Sequence, residues 1–255
     1  MLAKDLTYAL DPVKFAEEAL GFEPDPWQAQ ALRWSGKRLL LNCSRQSGKS
    51  TTSAVLALHR ALFYPGSLVL LISPSLRQSA ELFLKVQGML KELDEQPSLV
   101  EDNKLKMTLT NRSRVLSLPG SERTIRGFSG ASLIIEDEAA RVADELYYSV
   151  RPMLAVSGGR IILMSTPFGK RGHFFHEWTE GGDTWERILI TAHDCPRIKP
   201  EFLEEERQAL GEWWFKQEYL CEFVETVDQV FSYDEVHSAI DEEIKPLFTG
   251  GAESA

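Results

Sequence analysis

The sequence predicts an α/β fold, with a mostly parallel central sheet flanked by helices and a small helical subdomain at the C-terminal end. Short segments that are apolar throughout alternate with helical patterns along residues 38–191. This alternation is typical of parallel strands that are buried on both faces of a sheet. The chain has 255 residues, of which 43% are hydrophobic. It is therefore long enough to form one large domain with a sizeable core.

The predicted elements begin with two short amphipathic helices at residues 12–20 and 26–35. Further helices are expected at residues 49–62, 75–93 and 139–156. Residues 104–109 and 114–118 alternate polar and apolar side chains around Asn111, which predicts a hairpin. Apolar segments predict five buried strands: Arg38 to Cys43, Leu68 to Ser73, Ser132 to Ile135, Arg160 to Met164 and Ile188 to Thr191.

The charge is distributed unevenly along the chain. The formal net charge is -10, and the segment from Glu201 onward contains 15 acidic and 3 basic residues. We expect residues 1–195 to form the core and residues 196–255 to form a small helical subdomain and linker. The sequence has no apolar run of the ~18 residues that a membrane span needs. Its three cysteines form no CxxC pair, which argues against a disulfide-stabilised secreted protein.

A polar loop between the first predicted strand and the next helix is a candidate phosphate-binding loop. It runs from Cys43 to Ser50 and differs from the pattern GxxxxGK[ST] only at Cys43, where glycine is expected. Gly48 allows the backbone to approach a phosphate, and the amides at the helix N-terminus attract an anion. Lys49 would reach the β- and γ-phosphates of ATP, and the Ser50 hydroxyl would bind Mg²⁺. The ATP-binding residues predicted in this loop are Ser44, Arg45, Gln46, Ser47, Gly48, Lys49, Ser50 and Thr51.

Three consecutive carboxylates, Glu136, Asp137 and Glu138, follow a predicted buried strand. Ligands of open α/β sheets bind at the carboxyl ends of the strands. We expect Asp137 to hold Mg²⁺ opposite Ser50 and Glu138 to polarise the attacking water. The pair Glu136 and Asp137 is the alternative assignment, and an acidic helix N-terminus would explain the same residues without catalysis.

Together, the segments SRQSGKS, IIEDEAA and LMSTPFGKRG resemble the ATPase domain of large terminase subunits, the DNA-packaging motors of tailed bacteriophages. The resemblance spans roughly Asp25 to Gly172. It implies a sheet of the P-loop ASCE type, with Mg²⁺ as cofactor and ATP as substrate. It also implies ATP hydrolysis that powers translocation of double-stranded DNA into a viral capsid, in the host cytoplasm. The implied partners are further copies in a ring on the capsid portal, the portal itself and the small terminase subunit, with no membrane.

The same resemblance implies roles for residues outside the loop. Gln28, in Pro26-Trp27-Gln28, would contact the adenine base, and Arg126 would be an arginine finger. Ser165 and Thr166 would couple the γ-phosphate to movement. For Arg126, an ion pair with Glu122 is the alternative interpretation.

Several interpretations stay open on sequence alone. Arg45 either contacts the nucleotide or is solvated, and Lys104, Arg112 and Arg114 either face DNA or belong to a solvated hairpin. We expect no nuclease domain of the RNase H-like type within these 255 residues. A superfamily-2-like helicase would need a second domain, for which the residues after Pro200 leave little room. A nucleotide-dependent assembly switch without turnover would not need Glu138.

Overall fold

The computed structural model of the protein describes residues 2–119, 127–225 and 233–239. The chain divides into two compact units, Met1–Val224 and Glu225–Ala255. The first unit contains the sheet and every candidate site residue that the structure describes. In the described part of the chain, no helix combines the length and the apolar character that crossing a membrane requires.

Eight strands form one sheet in the order β3-β4-β5-β2-β6-β7-β1-β8. The six strands from β5 to β8 in this order are parallel to one another. At one edge, β4 is antiparallel to β5, and β3 is antiparallel to β4. The fold class predicted from the sequence is therefore confirmed. The strands are β1 Arg38–Cys43, β2 Leu68–Ser73, β3 Leu99–Asp102, β4 Lys106–Leu109, β5 Arg114–Pro119, β6 Leu133–Asp137, β7 Arg160–Ser165 and β8 Glu186–Ile190.

Helices cover both faces of this sheet. They are α1 Leu2–Leu10, α2 Pro12–Ala19, α3 Pro26–Arg33, α4 Lys49–Phe63, α5 Leu76–Glu92, α6 Asp144–Val150, α7 Gly172–Thr179, α8 Pro200–Glu218 and, in the second unit, α9 Tyr233–Ser238. Helices α1 to α5 pack on one face, where Leu39, Leu41, Leu133 and Ile135 belong to the larger buried cluster. Helices α6 and α7 pack on the other face, against Ile134 and its neighbours.

The parallel strands bring three loops to the same edge of the sheet. Strand β7 lies between β6 and β1. The residues that follow β1, β6 and β7 therefore lie side by side at the carboxyl edge. This topology places the candidate phosphate loop near the acidic end of β6, with Thr166 between them.

The prediction of one continuous helix at residues 139–156 is wrong. The structure has a 3-10 helix at Ala139–Arg141, helix α6, and a second 3-10 helix at Arg151–Leu154. Val142 and Ala143 adopt extended backbone angles, which ends the first turn. Pro152 has no amide hydrogen to continue α6.

Other boundaries differ less. Helices α1 and α7 and strand β3 were not predicted, whereas the hairpin is confirmed as the antiparallel pair β4 and β5. Helix α8 is interrupted at Gly211, whose φ is 78°. Separate folding of residues 196–255 remains a prediction.

Candidate active site

The loop after β1 has the backbone shape of a phosphate loop. Gly48 has φ 96°, a left-handed conformation that costs glycine little. Gln46 also has a positive φ, 60°, although it carries a side chain. Cys43, in contrast, is the last residue of β1, pairs with Ile190 of β8 and is fully buried. A regular strand position does not need glycine, so this departure from the motif leaves the loop intact.

Several loop residues are already engaged by the protein. The Ser44 amide donates to the Ile190 carbonyl at 2.8 Å, and the Arg45 amide donates to the Glu218 carbonyl at 3.1 Å. The side chains of Ser44 and Ser47 are buried. The loop is therefore anchored at its start, while its second half leads into the N-terminus of α4, where backbone amides attract anions.

Gln28 lies beside the phosphate loop, and its contact with an adenine base remains a prediction. It is 1% exposed, and its Oε1 accepts a hydrogen bond from the Asp25 amide at 2.8 Å. A methyl group on Gly48 would come within 2.7 Å of Gln28 Nε2. Arg197, which was not predicted, joins the same region by donating to the Ser47 carbonyl at 3.0 Å and pairing with Asp25 at 2.7 Å.

Lys49 and Glu138 contact each other at the centre of the site. Lys49 Nζ lies 3.1 Å from Glu138 Oε1 and donates to Thr166 Oγ1 at 3.4 Å. Burial alone would lower the pKa of Lys49, but Glu138 and Asp137 raise it above its ordinary value. Lys49, whose side chain is 11% exposed, is therefore charged at neutral pH. These residues border a cleft of about 340 Å³, which Lys49, Glu138 and Thr166 line.

Glu138 adopts an unusual backbone conformation at the start of the 3-10 helix. Its φ is 54° and its ψ is 41°, in the left-handed region that residues with side chains rarely occupy. Such conformations cost about 1 to 3 kcal/mol and cluster at functional sites. The turn directs the carboxylate toward Lys49 rather than along the strand.

Asp137 and Ser50 have the chemistry of a Mg²⁺ site. Both line a cavity of about 220 Å³ next to the phosphate loop. Burial and, after it, the nearby charge of Glu138 raise the pKa of Asp137 to about 6. A divalent cation would favour the ionised form of this carboxylate. Mg²⁺ prefers such oxygen ligands and usually keeps several waters, so the residues fit the ion.

Glu136 points away from this cluster. Alternation along β6 places it on the opposite face of the sheet from Leu133, Ile135 and Asp137. It is fully buried, and its Oε1 contacts His173 Nε2 at 2.5 Å. This position makes Glu136 a poor candidate for the nucleotide site and favours Asp137 and Glu138.

His173 is held between two carboxylates. Its Nδ1 lies 3.0 Å from Asp144 Oδ1, and the Tyr147 ring stacks on it with centroids 4.3 Å apart. Burial alone would lower the pKa of His173, but Glu136 and Asp144 raise it above its ordinary value. An ion pair between His173 and Glu136 thus links the end of β6 to α7, which follows the predicted coupling segment.

Two further charged residues, Arg141 and Glu218, line the same cleft as Glu138 and were not predicted. Arg141 lies 4.0 Å from Glu138 Oε2 and 3.7 Å from Glu218 Oε1. Glu218, at the end of α8, is buried and also pairs with Arg45 at 2.6 Å. Arg45 therefore has a protein partner, but its side chain is 61% exposed, so the choice between nucleotide contact and a solvated side chain stays open. Glu218 lies too far along the chain for any local pattern to indicate it.

The remaining predicted residues are placed as follows. Ser165 is buried, and its hydroxyl donates to the Thr166 carbonyl at 2.7 Å. Arg126 lies outside the described residues. Lys104, Arg112 and Arg114 are all exposed. Lys104 precedes β4 toward the phosphate-loop edge, whereas the other two lie at the opposite end of the hairpin, so the three do not form one cluster.

Comparisons with known proteins identify the family of this chain. The family model "Terminase large subunit, T4likevirus-type, N-terminal" matches residues 40–238, well over half of the chain. The terminase large subunit of Thermus phage G20c is 28% identical over 250 residues, which covers 84% of this chain and 52% of that protein. The chain thus spans about half the length of this relative.

Two solved structures share the fold. The large terminase ATPase domain of Thermus phage P74-26 has a TM-score of 0.75 and 24% identity, over 84% of this chain and 100% of that chain. The large terminase of another thermophilic bacteriophage, solved in complex with ATP-gamma-S, has a TM-score of 0.61 and 13% identity, over 87% of this chain and 52% of that chain. The resemblance expected from the three motif segments is confirmed. The chain belongs to the terminase large subunit family of the T4likevirus type, and it matches the N-terminal part of that family's proteins.

Proposed function

We propose that this chain hydrolyses Mg-ATP and thereby powers translocation of double-stranded DNA into a viral capsid, as the motor ATPase of a terminase in the host cytoplasm. The observation that carries the proposal is the contact of Lys49 with Glu138 at 3.1 Å, beside Thr166 and at the mouth of the phosphate loop. The complex of a thermophilic bacteriophage's large terminase with ATP-gamma-S supports the choice of ligand.

Phosphate binding follows from the start of α4. The amides from Gly48 to Thr51 and the helix dipole stabilise the phosphate oxygens. Lys49 adds a half-buried positive charge next to the γ-phosphate. Such preorganised charges stabilise the transition state of phosphoryl transfer more than they would in water. Ser50 and Asp137 would hold Mg²⁺, which neutralises charge on the phosphate oxygens when bound.

Glu138 is the proposed general base. Its carboxylate accepts a proton from a water molecule as the water oxygen attacks the γ-phosphorus. The bond from this phosphorus to the bridging oxygen breaks, and ADP leaves with the electron pair. Arg141, 4.0 Å from Glu138 Oε2, helps to hold the carboxylate in place.

Other residues complete the proposed motor. Gln28 contacts the adenine base of ATP. Ser165 and Thr166 transmit the state of the γ-phosphate. Arg126 acts on the nucleotide of a neighbouring copy in a ring on the portal, and the small terminase subunit is a further partner. DNA contacts are mainly to phosphates and therefore sensitive to salt. The candidates for these contacts remain Lys104, Arg112 and Arg114.

The test compares Lys49→Ala with Glu138→Gln. We expect Lys49→Ala to lose ATP affinity because the charge opposite the phosphates is gone. Glu138→Gln should bind Mg-ATP normally and lose turnover by roughly a hundredfold or more, since an amide is a far weaker base. Binding would be measured with a fluorescent ATP analogue, and turnover by phosphate release with and without duplex DNA.

Glu136→Gln is the matched control, because it changes the adjacent carboxylate on the other face of β6. Turnover that falls in Glu136→Gln but persists in Glu138→Gln would reassign the base. ATP binding without turnover in the unmodified protein, with or without DNA, would favour the assembly switch. Strand separation of a duplex driven by ATP would favour the helicase.

A further inference from the structure

A second cavity lies at the edge of the sheet opposite the phosphate loop, where the parallel strands begin. It has a volume of about 350 Å³ and is lined by the last turn of α4, the first residue of β7 and the residues between α3 and β1. Helix α4 has 15 residues, so its two ends are about 22 Å apart. The cavity is therefore distinct from the candidate active site, although the same helix reaches both.

The cavity carries an excess of positive charge. Arg33, Arg60 and Arg160 line it, and Asp11 is the one carboxylate among the described lining residues. Arg33 engages both oxygens of Asp11, at 3.1 and 2.8 Å. Burial lowers the pKa of the neighbouring His59, which is therefore neutral at pH 7. Arg60 and Arg160 thus have no carboxylate partner among the described residues.

Arg60 and Arg160 repel one another, which is unusual for half-buried arginines. Burial lowers the pKa of the Arg60 guanidinium, and the charge of Arg160 lowers it further. Half-buried cations are normally paired, because removing their hydration costs free energy that a counter-charge restores. An anion in the cavity would supply this counter-charge.

Both guanidiniums are held in place by aromatic rings. Arg60 lies over the Tyr64 ring at 4.1 Å from its centroid, and Arg160 lies over the Trp34 ring at 5.6 Å. Arg160 also donates to the Trp34 carbonyl at 3.3 Å. Stacking leaves the N–H edges of a guanidinium available and reduces the entropy lost on binding.

Two buried donors in these same residues have no acceptor. Arg60 Nε and Trp34 Nε1 are both inaccessible to solvent and make no hydrogen bond in the described structure. Both atoms are closed to solvent, so an anion in the cavity would meet the outer N–H groups of the two guanidiniums rather than these donors. Arginine pairs match the tetrahedral oxygens of phosphate best.

We propose that Arg60 and Arg160 form a second phosphate-binding site, independent of ATP hydrolysis at the phosphate loop. The ligand is a phosphate group, supplied either by the backbone of duplex DNA or by a free phosphate anion. Neither residue belongs to the hairpin that the sequence indicated for DNA contact.

The test uses Arg60→Gln and Arg160→Gln in the full chain, with two probes. A short duplex labelled at one end would be titrated at several salt concentrations by fluorescence anisotropy. Inorganic phosphate would be titrated by calorimetry. We expect each variant to bind its phosphate source roughly tenfold more weakly, the loss typical of one charge-assisted hydrogen bond. If DNA is the source, the slope of log affinity against log salt concentration should also become shallower by about one for each arginine that is replaced.

Arg38→Gln is the matched control. Arg38 begins β1 at the same edge of the sheet, but it donates to Thr184 Oγ1 and does not line the cavity. All of these variants keep the phosphate loop, so binding there cancels in the comparison. A loss with DNA alone assigns the site to nucleic acid, and a loss with inorganic phosphate assigns it to a free anion.

The proposal is overturned if both glutamine variants bind both probes as the unmodified protein does. It is equally overturned if Arg38→Gln loses as much affinity, because the effect would then be one of general charge. Should a glutamine variant fail to fold, Arg60→Lys and Arg160→Lys replace it. They keep the charge but lose the planar fork, and we expect an intermediate loss of affinity.

Discussion

Three consecutive carboxylates at the end of β6 lie in three different surroundings. Glu136 faces His173 on one side of the sheet, whereas Asp137 lies on the phosphate-loop side and Glu138 turns toward Lys49. Alternation along a strand, which a sequence pattern does indicate, separates Glu136 from Asp137. Only the left-handed backbone of Glu138, which no local pattern indicates, brings the third carboxylate to the site.

The charge of His173 should make stability depend on pH. Burial opposes this charge, but Glu136 and Asp144 outweigh burial and raise the pKa of His173 in the folded state. Stability from the ion pair is therefore complete below the ordinary histidine pKa and is lost as pH rises through the folded value. His173→Gln should lower the free energy of unfolding by about 3 kcal/mol at pH 6 and by less at pH 9. The Tyr147 ring stacks on His173, its hydroxyl donates to Glu177 Oε1, and Arg151 pairs with the same oxygen, so these groups also lie near the pair.

Chemical denaturation across this pH range measures the effect. His176→Gln is the matched control, because His176 lies on the same helix but pairs with Glu180 at the surface. It should change stability little at any pH. If His173→Gln lowers the free energy of unfolding equally at pH 6 and pH 9, the His173–Glu136 pair is not ionised and His173 acts through packing alone.

At the level of elements, the phosphate loop was the part most fully predicted from sequence. The bounds of β1 and the start of α4 are the predicted ones, because an apolar run and a Gly-Lys-Ser turn are local signals. Arg197 and Glu218 were missed, since they contact the loop from 150 and 173 residues away along the chain. Arg141 was missed because it lies in a segment predicted as regular helix. Tertiary contacts of that kind leave no periodicity in the sequence.

Gly48→Ala should damage this element in two ways. The φ of 96° is strained for alanine, at a cost of about 1 to 2 kcal/mol. Its methyl group would also lie within 2.7 Å of Gln28 Nε2 and 3.3 Å of the Arg197 guanidinium. We expect lower stability by chemical denaturation together with loss of ATP binding.

Gly88→Ala is the control for this change. Gly88 lies inside α5, has no positive φ, and a methyl group there meets nothing within 4 Å. Alanine should raise stability at this position by up to about 1 kcal/mol, because it is the better helix former. A double variant, Gly48→Ala with Gln28→Ala, should recover the part of the loss that comes from crowding. If Gly48→Ala alone is as stable as the unmodified protein, the left-handed loop is not the solution conformation.

At the level of the whole molecule, the carboxyl edge of the sheet, where the parallel strands end, and the opposite edge, where they begin, hold different groups of residues. The carboxyl edge holds Lys49, Thr166 and Glu138, and the opposite edge holds Arg60 and Arg160, with α4 running between them. The first edge could be predicted from sequence, because its residues belong to recognisable motifs. The second could not, since its arginines are far apart in the chain and come together only through the topology of the sheet.

Assembly should raise the activity of the proposed motor. Arg126 precedes β6 in the sequence. From the family resemblance, it is expected to reach the nucleotide of an adjacent copy. A guanidinium there neutralises charge on the transferring phosphoryl group, and such fingers are worth ~10³ to 10⁵ in rate. Phosphate release per subunit should therefore increase with protein concentration. Arg126→Ala should bind ATP normally and hydrolyse it slowly at every concentration.

A mixture of two inactive variants tests whether this arginine acts between copies. Arg126→Ala keeps Glu138, whereas Glu138→Gln keeps Arg126, so a mixed assembly contains interfaces at which one copy supplies the base and its neighbour supplies the arginine. Partial recovery of phosphate release in this mixture is the expected result. In the control mixture, the Glu138→Gln copies also carry Arg126→Ala. No copy then has Arg126, so phosphate release should stay low. If the first mixture recovers no more than the control, and turnover per subunit in the unmodified protein stays constant with concentration, Arg126 either acts within its own chain or is structural.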